Sequence, residues 1–141
     1  MLPFAPGSLD LVVSVLALHL VNDLPGVLVQ VRKALKPDGL FLAALPGGDT
    51  LAELRSALTE AEIEVTGGAA PRVAPFAEIR ALGALLQRAG FALPVADQDR
   101  LVIRYDTALD LMRDLRAMGA TSVLVERSRA PLRRSVLLRA A

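Results

Sequence analysis

The sequence predicts an α/β fold: an open, mostly parallel sheet with helices on both faces. Strand-like apolar runs alternate with segments of helical periodicity. The runs are continuous rather than alternating, which marks strands covered on both faces. The first strand, helix and second strand also follow one another at about the length a parallel crossover requires.

The first strand is read at Leu9 to Leu16, with an unbroken apolar stretch from Leu11 to Val13. Asn22 and Asp23 offer N-cap side chains, and Pro25 suits a first helical turn. Leu24, Val27, Leu28, Val31 and Leu35 then fall at helical spacing as one apolar stripe. Pro37 stops that helix, Asp38-Gly39 turns the chain, and Leu40 to Leu45 is the second buried-type strand. After Gly47-Gly48, Thr50 and Glu53 have the spacing of a capping box for a helix carrying Leu51, Leu54, Leu58, Ala61 and Val65. Residues 66–74 read as a loop. Pro75 opens a third helix with Ile79, Leu82, Leu85 and Leu86 inward and Gly90 at its end. Residues 91–105 contain two extended pieces around Asp97-Gln98-Asp99, either one bent strand or a short hairpin. Asp106-Thr107 cap a fourth helix with Leu111, Leu115 and Met118 inward and Gly119 at its end. Residues 1–119 are thus taken as the domain and residues 120–141 as a basic, helical tail.

Composition bounds the function. Of 141 residues, 53% are apolar and 22% charged, so the chain is globular rather than disordered. No cysteine occurs, which excludes a disulfide scaffold and thiolate metal ligation. With a single histidine, no two-histidine metal triad can be built from this chain alone, and no metal site is expected. The run from Leu9 to Val21 is interrupted by Asp10, Ser14 and His19 and is too short to span a bilayer. Nothing before it carries a basic signal-like region. The expectation is a cytoplasmic protein without a membrane span.

Leu2-Pro3-Phe4, Leu9-Asp10-Leu11-Val12-Val13-Ser14 and Leu35-Lys36-Pro37-Asp38-Gly39, in this order and spacing, resemble the second half of class I S-adenosylmethionine-dependent methyltransferases. A closer resemblance runs over nearly the whole chain. It rests on Leu18-His19-Leu20-Val21-Asn22-Asp23-Leu24-Pro25, Gly47-Gly48-Asp49-Thr50-Leu51, Gly67-Gly68 and Leu111 to Gly119. These residues are similar to bacterial relatives of the mitochondrial respiratory complex I assembly factor 5 family, itself similar to malonyl-carrier-protein methyltransferases. The resemblance implies a Rossmann-like sheet of seven strands, with S-adenosylmethionine at the carboxyl ends of the first four. It also implies a departure. No Gly-x-Gly-x-x-Gly or Gly-x-Gly-x-Gly loop is present, nor an acidic residue placed after one. Those parts belong to a first half of roughly 100 residues in the two-half layout of such folds. The terminal antiparallel strand is also missing, so the chain is expected to be a fragment, truncated at both ends and inactive alone.

Open α/β sheets bind ligands outside the carboxyl ends of their strands. Ser14, Val15 and Leu16 stand there, and the resemblance places their backbone beside the methionine portion of S-adenosylmethionine. Val15 and Leu16 are equally consistent with plain strand-end packing. His19 is either a packed, hydrogen-bonded histidine or a base for the acceptor group. Asp49 either contacts a substrate amine or guanidinium or simply enters a helix favoured by its macrodipole. These two are the candidate catalytic residues. Glu60, Glu62 and Glu64 read as a solvated helix end.

The tail carries Arg127, Arg129, Arg133, Arg134 and Arg139 against Glu126, with no interleaved aromatic residue. Stacking platforms for nucleic acid need such aromatics, so nucleic acid is not the expected partner. Leu132, Val136 and Leu137 make an amphipathic helix the favoured reading. Three functions compete: a methyltransferase, an arginine hydroxylase acting on a respiratory-complex subunit with metal or other redox help, and a non-catalytic binding module. The partner is then a protein substrate or such a subunit. An exposed strand edge further predicts dimers or aggregation.

Overall fold

A computed structural model describes residues 2–122, 124, 127, 128 and 130–141. Arg129 and Glu126 of the tail lie outside them. The chain is mixed α/β, with a parallel two-stranded sheet and flanking helices, consistent with part of a Rossmann-like methyltransferase fold. Its elements are β1 (Leu9–Val15), a 3-10 turn (Leu18–Leu20), α1 (Leu24–Ala34), β2 (Leu35–Ala44), α2 (Ala52–Thr66), α3 (Ile79–Arg88), α4 (Ala108–Ala117) and α5 (Arg134–Ala140). They divide into two compact units, Met1–Thr50 with Phe76–Asp99, and Leu51–Pro75 with Arg100–Ala141.

In the first unit, β1 and β2 pair in parallel, Leu11 opposite Leu40 and Val15 opposite Ala44. The connection is α1, capped by Asp23, whose carboxylate accepts the Gly26 N–H at 2.9 Å. Leu28, Val31, Ala34 and Leu35 are buried and form the core of this unit with Leu18. β2 starts five residues earlier than the apolar run indicates, because Leu35 pairs with Leu9 before the register shifts. Lys36 to Gly39 bulge between these pairings, and Lys36 Nζ donates to Asp10 at 2.7 Å. A bulge is where a sheet tolerates the missing N–H of Pro37.

One face of the pair packs inward, where Phe41 stacks on Phe91 with centroids 5.4 Å apart. On the other face Leu11, Val13 and Val15 of β1 and Leu40 and Leu42 of β2 remain exposed, Val15 by 66%. The coverage on both faces that the continuous runs predict is therefore met on one. Residues 91–105 form neither a bent strand nor a hairpin. With no further strand among the described residues to complete a ladder, Leu93 is left 93% exposed and Val95 88%.

Other departures are local. The Thr50 N–H closes a turn onto the Gly47 carbonyl at 2.9 Å, and Leu51, at φ 56°, takes the N-cap of α2 in place of Thr50. The helix start is thus displaced by one residue from the prediction, onto an N-cap whose side chain caps no N–H. Helix α3 begins at Ile79 rather than Pro75, since Phe76 and Glu78 are used in the site described below. Its apolar residues are only half-buried, and in α4 Met118 is exposed where it was expected inside. Gly90 and Gly119 end α3 and α4 as predicted, with φ of 86° and 73°. Their N–H groups and those of the next residues return to the last helical carbonyls, the paired pattern of a left-handed helix stop.

In the second unit α2 packs on α5. Leu58 and Ala61 are buried, and Val136 of the tail helix is the most enclosed large side chain, at 1% exposure. Arg139 reaches Glu64 through two hydrogen bonds, of 2.5 and 3.0 Å.

Candidate functional site

Parallel pairing puts the carboxyl ends of β1 and β2 side by side, so the residues that follow both strands share one edge of the first unit. Ser14 and Val15 close β1 opposite Ala43 and Ala44. The Leu16 N–H extends the ladder to the Ala44 carbonyl at 2.8 Å. Leu16 itself adopts φ 52°, a left-handed conformation that costs a branched residue on the order of 1–3 kcal/mol. That reversal turns the chain off the sheet and into the 3-10 turn. Leu18 of this turn is buried and anchors it, while His19 is half-buried beside it.

The His19 ring lies 6.1 Å from that of Phe76, tilted by 51°. Its Nδ1 is enclosed without a hydrogen-bond partner among the described residues. After β2, Gly47, Gly48 and Asp49 form the tight turn closed by Thr50, and Asp49 is exposed.

Two residues missed in the sequence join this edge. Phe76 supplies the ring against His19. Glu78, the N-cap of α3, makes no side-chain cap and instead lies over Gly48. A Cβ at Gly48 would fall 2.0 Å from Glu78 Oε1, the far end of an exposed side chain that can swing aside. The Gly-Gly pair was the available signal, since paired glycines mark close approach to a backbone. The structure thus brings Ser14, Val15, Leu16, His19 and the Gly47–Asp49 turn to one sheet edge. Among the described residues no three His, Asp or Glu side chains converge in a metal-binding group. A cavity of about 210 Å³ lined by Arg32, Asp38, Gly39 and Phe91 lies toward the other ends of the strands, apart from this edge.

For S-adenosylmethionine the fit is partial. The strand-end residues Val15 and Leu16 are open, at 66% and 59% exposure, as a surface for the methionine portion requires. The phosphate-free nucleoside portion would need the glycine loop and acidic residue that the sequence does not contain.

A family model described as a methyltransferase domain matches residues 1–43. The mitochondrial arginine-hydroxylase NDUFAF5 of Danio rerio is 44% identical over 99% of this chain and 43% of its own length. The Homo sapiens protein of that name is 47% identical over 99% of the chain and 40% of its length. A malonyl-[acyl-carrier protein] O-methyltransferase of Xylella fastidiosa is 44% identical over 89% of the chain and 41% of its length. The chain therefore spans about two-fifths of the relatives it matches. No helix among the described residues is long and apolar enough to cross a membrane. The chain is thus similar both to the NDUFAF5 proteins and to the malonyl-carrier-protein methyltransferases, and its first 43 residues match a methyltransferase domain.

Proposed function

We propose that the chain is the substrate-side half of an S-adenosylmethionine-dependent methyltransferase, with most cofactor contacts supplied by a part of the domain outside these 141 residues. The observation that carries this reading is a coincidence of boundaries. The residues matched by the methyltransferase model, 1–43, are those of the β1–α1–β2 unit that bears the open strand end and His19.

The cofactor, when bound, supplies an electrophilic methyl group. The backbone of Ser14, Val15 and Leu16 lines its methionine portion. Leu16's left-handed turn keeps side chains from closing over that end of the sheet. His19 takes the proton where the acceptor carries one, and donates a hydrogen bond that aligns it where the acceptor is an ionised carboxylate. With Nδ1 enclosed, Nε2 is the nitrogen that meets the acceptor. Asp49, on the neighbouring turn, holds a cationic group of the substrate. Direct displacement depends mainly on alignment, with a base adding typically 10²–10⁴-fold, so few ionisable groups suffice. The acceptor belongs to a protein: a carrier-bound acyl group or a respiratory-complex subunit. A cytoplasmic-type, reducing compartment is consistent with the absence of cysteine, while some relatives are named as mitochondrial.

A second reading, arginine hydroxylation, is favoured by the 47% identity to NDUFAF5 over nearly the whole chain. One experiment separates the two. The chain is combined with the amino-terminal part of a relative, S-adenosylmethionine is added, dioxygen with a two-electron reductant and ferrous iron is supplied in parallel, and two acceptors are offered: a malonyl thioester on its carrier protein and an arginine-containing peptide. A product heavier by CH₂, lost in His19→Gln with cofactor binding retained, supports methyl transfer. A peptide product heavier by one oxygen supports hydroxylation. Modification of neither by a combined protein that binds the cofactor overturns both in favour of a binding module.

A further inference from the structure

Segment 67–75, which follows α2, contains no fully buried residue, yet it is tied down by polar contacts. Glu62, buried in the last part of α2, accepts the Ala70 N–H at 2.9 Å and Arg72 Nη2 at 2.5 Å. Thr66 Oγ1 lies 2.7 Å from the Glu62 carbonyl and 2.8 Å from that of Gly68. Arg55 Nη2 reaches the Ala74 carbonyl at 3.3 Å. All these groups belong to the second unit.

The carboxylate does not serve its own helix, because a negative charge toward a helix C-terminus opposes the macrodipole. Nor is the pair a simple gain in stability, since burying two charges forfeits their hydration. Its other half is also incompletely satisfied: Arg72 Nε is enclosed without a partner among the described residues. The segment begins at Gly67, with φ 78°, followed by Gly68, and a Cβ at either would meet nothing. A stretch held by buried Glu62 at its middle and by the Thr66 and Arg55 contacts at its ends, with no fully buried residue of its own and two open glycines at its root, has the features of a low-stability opening unit.

We propose that residues 67–75 form a strap that detaches from α2 as a unit, with Glu62 as its catch and Gly67-Gly68 as its hinge, while α2 stays folded. The closed state stores Arg72 against Glu62; the open state releases the guanidinium and the Arg72–Val73 peptide bond to solvent.

Hydrogen exchange and limited trypsin digestion of the intact chain test this. The Ala70 amide is expected to exchange at least about tenfold faster than the amides of central α2, through a local opening. Glu62→Gln should raise both Ala70 exchange and cleavage after Arg72 by about tenfold while cleavage after Arg113 is unchanged. Exchange of Ala70 in step with central α2 in the unmodified chain would overturn the strap, whether or not the variant folds. Equal acceleration of cleavage after Arg72 and Arg113 would overturn it as well.

Discussion

Gly39 stands where β2 resumes after its bulge, and a Cβ there would lie 3.1 Å from the Leu9 carbonyl and 3.0 Å from Leu35 Cδ2. The first of these is backbone in the paired strand and has little freedom to retreat. Gly39→Ala is expected to destabilise the chain by about 1–3 kcal/mol through overpacking, read as a lower urea midpoint with an unchanged slope. Glu62 gives a pH dependence. Its hydrogen bond from Arg72, then that from Ala70, hold the carboxyl below the ordinary carboxylate range against the upward push of burial. A lowered folded-state value means that the stabilisation is complete above the unfolded-state pKa and is lost as pH falls through the folded one. The stability gap between the unmodified chain and Glu62→Gln should therefore narrow on acidification from pH ~7 to pH ~3; a constant gap would refute this role. At this scale His19 and Asp49 were legible as candidates because they follow strands. Glu78 was not, since nothing in a linear pattern shows that a helix-entry carboxylate will settle on a glycine thirty positions earlier. Glu62 was misread as solvated for the same reason: its partners, Ala70 and Arg72, lie in a loop without periodicity.

Among the elements, α5 depends on Val136. Val136→Ala should cost about 1–3 kcal/mol as burial is lost and a cavity opens. Leu138→Ala, two positions on and 67% exposed, should change stability by no more than about 0.5 kcal/mol. Equal losses by urea unfolding would mean that α5 is not seated on α2 by that side chain. The helices and the parallel strand pair were readable because each carries its own signal: apolar spacing, Asp23 and Thr107 caps, and glycine stops. Segment 91–105 was not, because a strand is defined by its partner. Its Val, Ile and Leu content satisfies strand preference while the described residues provide no ladder for it. The start of α2 slipped by one residue because the Gly47–Thr50 turn takes up the chain reversal first.

For the whole molecule, the exposed face of Leu11, Val13, Val15, Leu40 and Leu42 is the feature that joins fold to function. Contiguous apolar surface of this kind is a contact site or an aggregation liability. We expect the isolated chain to self-associate, and Val13→Lys to reduce that in sedimentation while shifting stability by no more than about 0.5 kcal/mol. The open α/β class was legible in the order of elements, but the vacancy on one face follows from what the described residues do not cover. Whether this chain holds the substrate side and too little of the cofactor side is decided by titration calorimetry with S-adenosylmethionine. The chain alone should show no micromolar binding, and binding should appear once the amino-terminal part of a relative is added. Micromolar binding to the chain alone would contradict the claim.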